Sequence, residues 1–286
     1  LFIQLSNPQA VFSLDLSRNT AFAAIKKSLT IGLGSSFNQV VQLLPPIVIG
    51  AILSTSEAGI YSAAMKVVLI GALFDQVFVN LFLPMFTSYW SKSPQKAPEM
   101  IGRIFRIMLT AGIVLSVIFM ISSDWLVYLL FGNEYQSSVF ILKILSWFLA
   151  ATFINSVFAF GLLAINQDRA YFHSTLKGGI LSLLLILGLT TLGAPYWTAI
   201  AVLLSELFIM GFNYHAFQKH ITFGFTKPII AAITASIIST SLFYYGLSIM
   251  FVIQLPLFAG ICLLTHYLLG GIKYSDVIWL TSILKR

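Results

Sequence analysis

Eight apolar stretches, each long enough to cross a lipid bilayer, govern what this chain of 286 residues can fold into. A helix needs roughly 20 apolar residues to span about 30 Å of hydrocarbon. That ruler fits residues 29–53, 59–88, 104–123, 138–165, 176–193, 196–217, 228–247 and 250–271. Stretches 104–123, 228–247 and 250–271 are almost free of charge, whereas 29–53 holds Asn38, Gln39, Gln42 and the pair Pro45-Pro46. Backbone groups in hydrocarbon must satisfy their own hydrogen bonds, so spans of this length are helices. Composition agrees, with 58% hydrophobic and 9% charged residues against about 25% charged in a soluble domain. A soluble enzyme, a disordered tail and a disulfide scaffold are all excluded. The single cysteine, Cys262, supplies neither a disulfide nor a metal cluster. The expected fold class is an all-α polytopic membrane protein of about eight transmembrane helices.

The basic residues orient these spans. Eight crossings put both termini on one side, together with the loops around 89–103, 166–175 and 218–227. Arg18, Lys26, Lys27, Lys92, Lys96, Arg103, Arg106, Arg169, Lys177, Lys219, Lys227, Lys273, Lys285 and Arg286 collect there, fourteen of the sixteen bases. Omitting the first crossing would carry Arg18, Lys26 and Lys27 to the opposite side. Cytoplasmic loops gather Lys and Arg, so both termini are expected in the cytoplasm. Tyr89, Trp90, Trp125, Tyr196, Trp197 and Tyr274 stand at span ends, where amphipathic rings favour the headgroup layer. The net charge of +7 is thereby accounted for without nucleic acid, which is not an expected partner. Residues 1–28 read as a cytoplasmic lead-in with a short amphipathic helix near 20–28, and 272–286 as a cytoplasmic tail. No connecting loop is long enough to fold as a domain, so the function is expected within the membrane.

Catalytic signatures are missing. The chain has no G-x-x-x-x-G-K-[ST] phosphate loop, no H-E-x-x-H zinc site and no G-x-S-x-G elbow. His173, His215, His220 and His266 lack ligand spacing, so no catalytic residue, metal site or cofactor is expected, and the chain is not read as an enzyme.

Polar groups inside the spans carry the functional signal. An ionisable side chain at the bilayer centre costs about 2.5–3.5 kcal/mol on insertion scales and usually faces a partner or a wet cavity. Asp75 and Glu206 are the deepest, and the favoured reading puts them on a cavity. Lys66 and Lys143 stand about 10 Å or less from a span end, where snorkelling to the headgroups explains them as well as a binding role does. Asn38, Gln39 and Gln42 crowd one turn ahead of Pro45-Pro46, and a proline-broken helix at membrane depth is tolerated where it lines a cavity. Gln76 and Asn80 lie one turn apart on one face of the second span. Interhelical hydrogen bonds account for any one of these amides, but their concentration in two spans favours a hydrophilic passage bordered by spans one and two.

Several segments resemble a known family. Ala58-Gly59-Ile60-Tyr61-Ser62-Ala63-Ala64 followed by Lys66, then Leu83-Pro84 with the basic loop 92–106, are similar to consecutive elements of the polysaccharide flippases. These form one branch of the multidrug/oligosaccharidyl-lipid/polysaccharide exporter superfamily. Phe131-Gly132-Asn133-Glu134-Tyr135, Ile141-Leu142-Lys143-Ile144-Leu145 and Ser205-Glu206 follow in the same order. The likeness covers about residues 25–217. It departs from the family where asparagines and a proline-glycine turn are replaced by Gly178-Gly179-Ile180-Leu181-Ser182 and Gly193-Ala194-Pro195-Tyr196-Trp197. Family members have twelve or fourteen spans in two six-helix lobes. The resemblance therefore implies that 29–217 is a C-terminal six-helix lobe, that 228–271 adds two helices, and that an N-terminal lobe of the same protein precedes them.

The resemblance implies translocation of an undecaprenyl-pyrophosphate-linked O-antigen or similar exported oligosaccharide by ion-driven alternating access. Membrane lipid surrounds that path, and glycan polymerase and assembly proteins are its implied partners. In that scheme Lys66 and Lys143 meet the anionic head, Asn38, Gln39, Gln42, Gln76 and Asn80 meet sugar, and Asp75 or Glu206 couples the ion. The rivals are a drug/cation antiporter or a lipid II flippase of the same superfamily, then a membrane glycan polymerase, then a structural membrane subunit with packed polar pairs. Short outer loops without bases stand against the polymerase.

Overall fold

In a computed structural model the described residues are 32, 43–245 and 251–284. They form helices and short connections, with no strand among them. In chain order the helices are α1 (Leu43–Ile52), α2 (Thr55–Lys92), α3 (Ala97–Ile121), α4 (Ser123–Phe131), α5 (Ser138–Ala164), α6 (Asp168–Thr190), α7 (Pro195–Phe217), α8 (Thr226–Tyr245), α9 (Phe251–Leu268) and α10 (Tyr274–Leu284). Six of these, α2, α3, α5, α6, α7 and α8, are long and apolar enough to cross a membrane, and α1 and α9 add shorter apolar helices. The all-α polytopic fold read from the sequence is thus the fold observed. Of the first expected span, 29–53, the part carrying Asn38, Gln39 and Gln42 lies outside the described residues.

Local chemistry sets the helix ends. Ser54 caps α2 by accepting the amide of Glu57 at 3.1 Å, the S-x-x-E pattern of a capping box. The run of 104–123 does not continue straight: α3 stops at Ser122 and a short helix, α4, follows. Ser122 and Ser123 donate to the carbonyls of Ile118 and Met120, giving the backbone there an alternative to regular helix. Gly132, at φ +80°, ends α4 in a conformation that a Cβ disfavours. The sixth helix begins at Asp168 rather than 176. A hydropathy ruler finds only the apolar part of a helix, whereas Asp168 favours the first turn by complementing the dipole. The expected tail 272–286 holds α10, an eleven-residue helix.

α5 is the axis of the lobe. It packs against α2, α3 and α7, and α6 and α7 pair closely as an antiparallel hairpin. Enclosed on several sides, α5 is apolar around most of its girth, with Leu142, Leu145, Leu149, Phe153 and Leu162 all fully buried. Helices approach closely where side chains are smallest. A Cβ on Gly112 of α3 would lie 2.8 Å from the Phe153 Cβ of α5, and one on Gly178 of α6 would lie 3.2 Å from the Ile209 Cα of α7. α8 and α9 form a second hairpin that leans on α3.

Different contacts hold the two ends of the bundle. At one end Ser138 donates to the Ile60 carbonyl at 2.7 Å, and Phe140 meets Tyr196 edge-on at 5.7 Å. At the basic end Phe105, Phe158, Phe217, Phe223 and Phe225 interlock with centroids 5.3 to 6.5 Å apart. That cluster pins the connection between α7 and α8 onto α3 and α5.

Candidate substrate and ion-coupling site

The two deep acids come together on α5. Asp75 faces inward from α2, 8% exposed, and its Oδ2 accepts a 2.8 Å hydrogen bond from the Ser156 hydroxyl. Glu206 faces inward from α7, 7% exposed, and its Oε1 accepts from the Asn155 amide at 2.8 Å. Asn155 and Ser156 are consecutive, so neighbouring residues of one central helix serve a carboxylate on either side. Asn213 extends the network by donating to Asn155 Oδ1 at 2.8 Å. Three helices are therefore joined partway along their lengths by acids and neutral polar groups, with no cation among those contacts.

Parts of this network have unused capacity. Asp75 Oδ1, Asn213 Oδ1 and the Tyr61 hydroxyl are buried without a hydrogen-bond partner among the described residues. Tyr61, Ser182, Ser205, Glu206 and Pro45 share the wall of a cavity of about 20 Å³. A cavity needs roughly 10–15 Å³ of such volume to hold one water-sized occupant. A single acid at so small a cavity, walled otherwise mainly by apolar side chains such as Phe148, Ile186 and Ile209, suits exchange of a proton or small cation rather than binding of a sugar.

The remaining expected site residues divide. Lys66, Gln76 and Asn80 of α2 are all exposed. At 100° per residue they occupy one sector of the helix, turned away from Asp75, with Leu69 and Leu73 between them. Lys66 borders a groove of about 340 Å³ with Leu43, Pro46, Tyr61 and Ser62. Lys143 does not join it: its Nζ makes a 3.0 Å ion pair with Asp124 of α4. The two lysines expected to act together thus have different surroundings. Asn38, Gln39 and Gln42 lie outside the described residues.

Sequence reasoning missed four members of the buried network as site residues. Asn155 is an amide in the middle of the stretch 138–165, and Asn213 follows Glu206 by seven residues, two turns along the same face. Those signals were readable. Ser156 and Tyr61 gave none, because a mid-helix serine ordinarily bonds its own i−4 carbonyl and a tyrosine in an apolar span reads as packing.

The fold and this network define a polytopic all-α membrane protein with ionisable groups enclosed in a helical lobe. Its relatives are consistent with that class. The profile of a family described as "Polysaccharide biosynthesis protein" matches residues 9–140. The chain is 28% identical over 162 residues to the probable low-salt glycan biosynthesis flippase Agl15 of Haloferax volcanii, a match covering 54% of this chain and 34% of that protein. Its fold is shared with the lipid II flippase MurJ in an inward closed conformation, at a TM-score of 0.69 and 14% identity, over 86% of this chain and 53% of that one. The resemblance to a polysaccharide and lipid-linked flippase family is borne out. The chain spans about a third of the curated relative and about half of the solved flippase.

Proposed function

We propose that this chain is one lobe, with two additional helices, of a flippase that moves a lipid-linked oligosaccharide across the membrane. The observation that carries the reading is the enclosed network of Asp75, Ser156, Asn155, Glu206 and Asn213. Packing alone does not require two acids at membrane depth, since apolar residues of similar volume stabilise a bundle as well or better. Acids retained there suit coupling to an ion gradient, and helices that share them can rearrange when a proton or cation arrives. The exposed face of α2 supplies the complementary half. Lys66 suits an anionic pyrophosphate head and Gln76 and Asn80 suit sugar hydroxyls, while a prenyl tail remains in lipid.

Within this reading, 29–217 is the C-terminal six-helix lobe of a two-lobe exporter and 228–271 the added pair, in an inner membrane with both termini cytoplasmic. An undecaprenyl-pyrophosphate-linked O-antigen unit is the finer substrate proposal. Lys143 contributes less to it than Lys66, because Asp124 already neutralises its charge. The drug/cation antiporter is the weaker alternative, since a cation would meet Lys66 at the groove.

The test is glycan display on cells that depend on the full-length protein. Replacing Asp75, Glu206 and Lys66 together by alanine is expected to abolish display while the protein still reaches the membrane. Undiminished display would refute the assignment.

A further inference from the structure

At the basic end of the lobe three chain segments enclose a polar cavity of about 170 Å³. Arg103 and Arg106 reach it from α3, Lys273 and Ser275 from the start of α10, and Phe223 and Gly224 close the far wall. The aromatic cluster under Phe223 holds that wall in place. Arg106 is held firmly: its Nε and Nη2 donate to the two carboxylate oxygens of Asp276 at 2.6 and 2.8 Å. That fork leaves Nη1, which lies 3.6 Å from where a Cβ on Gly102 would stand, on the cavity side. Lys273 is exposed, and its ammonium makes no ion pair among the described residues. Glu99, also on the wall, is engaged by Arg103 at 2.6 Å. Two acids thus offset part of three basic charges, and a guanidinium edge and an ammonium remain for an outside anion.

Depth identifies the anion. Arg106 stands about 13 Å along α3 from its first residue, below the short 3₁₀ turn Pro94–Lys96 and at the margin of the apolar stretch 104–121. That is the headgroup layer on the side where basic residues collect. Guanidinium and ammonium donors converging on a polar hollow of this size suit a phosphate group. We propose that this cavity is a binding site for the phosphate of an anionic phospholipid headgroup, seated between α3 and α10 with Arg106 and Lys273 as its donors. The site is apart from the carboxylate network and does not depend on the transport reading.

Native mass spectrometry of the full-length protein, released from bilayers of equimolar phosphatidylglycerol and phosphatidylcholine, tests it. Wild type is expected to retain phosphatidylglycerol preferentially. Lys273→Gln, at an exposed position that folding tolerates, should cut the preference about fivefold, the weight of one basic side chain at an anionic surface. Gly102→Leu fills the cavity without altering charge and should remove the preference, while Gly102→Ala, whose Cβ meets only ordinary contacts, should keep it. Equal retention of the two lipids by wild type would overturn the proposal. So would a preference that survives both Lys273→Gln and Gly102→Leu in folded protein. Displacement of the lipid by millimolar inorganic phosphate supports phosphate recognition. Binding of inorganic phosphate without any lipid preference would assign the cavity to a soluble anion and refute the lipid.

Discussion

Asp276→Asn should release the C-terminal helix from the bundle. Asp276 is fully buried, and Arg106, whose side chain is 14% exposed, depends on it for two charge-assisted hydrogen bonds. The same carboxylate accepts the Lys273 amide at 3.1 Å and so closes the first turn of α10. Removing one partner of a buried pair costs about 3–5 kcal/mol, because the other charge is left uncompensated. The guanidinium here retains some access to water, which puts the cost near the lower limit, about 3 kcal/mol. Trp279, stacked on Phe82 at 5.9 Å, and Leu280, packed against the apolar core, then still hold α10. A local loss of about 3 kcal/mol raises the open population about a hundredfold. Amide hydrogen exchange over 274–284 in detergent or nanodiscs reads this directly. Exchange in Asp276→Asn should accelerate about a hundredfold in that segment and stay unchanged in α5. Identical exchange in wild type and variant would refute the claim that this ion pair docks the helix.

Four further outcomes follow from the packing and the network. Gly178→Ala places a Cβ against the Ile209 backbone and should destabilise by about 1–3 kcal/mol, whereas Gly211→Ala, with open space around it, should leave the melting temperature unchanged or slightly higher. Asn155→Ala strands acceptor and donor on Glu206 and Asn213 at once, an expected loss of about 2–3 kcal/mol in unfolding titrations. Lys143→Ala should cost under about 1 kcal/mol, since its partner Asp124 is 60% exposed, and a double-mutant cycle with Asp124→Ala should give a coupling within that limit. Ser138→Ala removes a 2.7 Å bond to the Ile60 carbonyl and should lower stability by about 1 kcal/mol, leaving lipid preference at the basic end untouched.

Span positions were legible because hydrocarbon thickness imposes a length and the absence of water imposes helix, so the runs containing α2, α5 and α7 announced themselves. Their boundaries were less so: α6 begins eight residues before its apolar run, since Asp168 satisfies the first turn outside the hydrocarbon. α4 was hidden because its nine residues are too few to cross hydrocarbon, so a ruler of span length passes over them. The acids of the candidate site were readable from cost alone. Their mutual arrangement was not, because Asn155 and Ser156 connect residues more than fifty positions away on different helices, a matter of packing rather than pattern. The same limit applies to Lys143 and to α10. An ion pair to Asp124 and another from Arg106 to Asp276 depend on which helix faces meet, and the sequence around each residue carries no sign of its partner.

Transport by a gradient acting through the buried acids is the central claim, and proteoliposomes measure it most directly. Full-length protein is reconstituted with a labelled lipid-linked oligosaccharide, and outer-leaflet appearance is followed with and without an imposed proton or sodium gradient. The account predicts translocation that depends on one of these gradients and falls at least tenfold in Asp75→Asn and in Glu206→Gln. Translocation at the wild-type rate in both variants would contradict it.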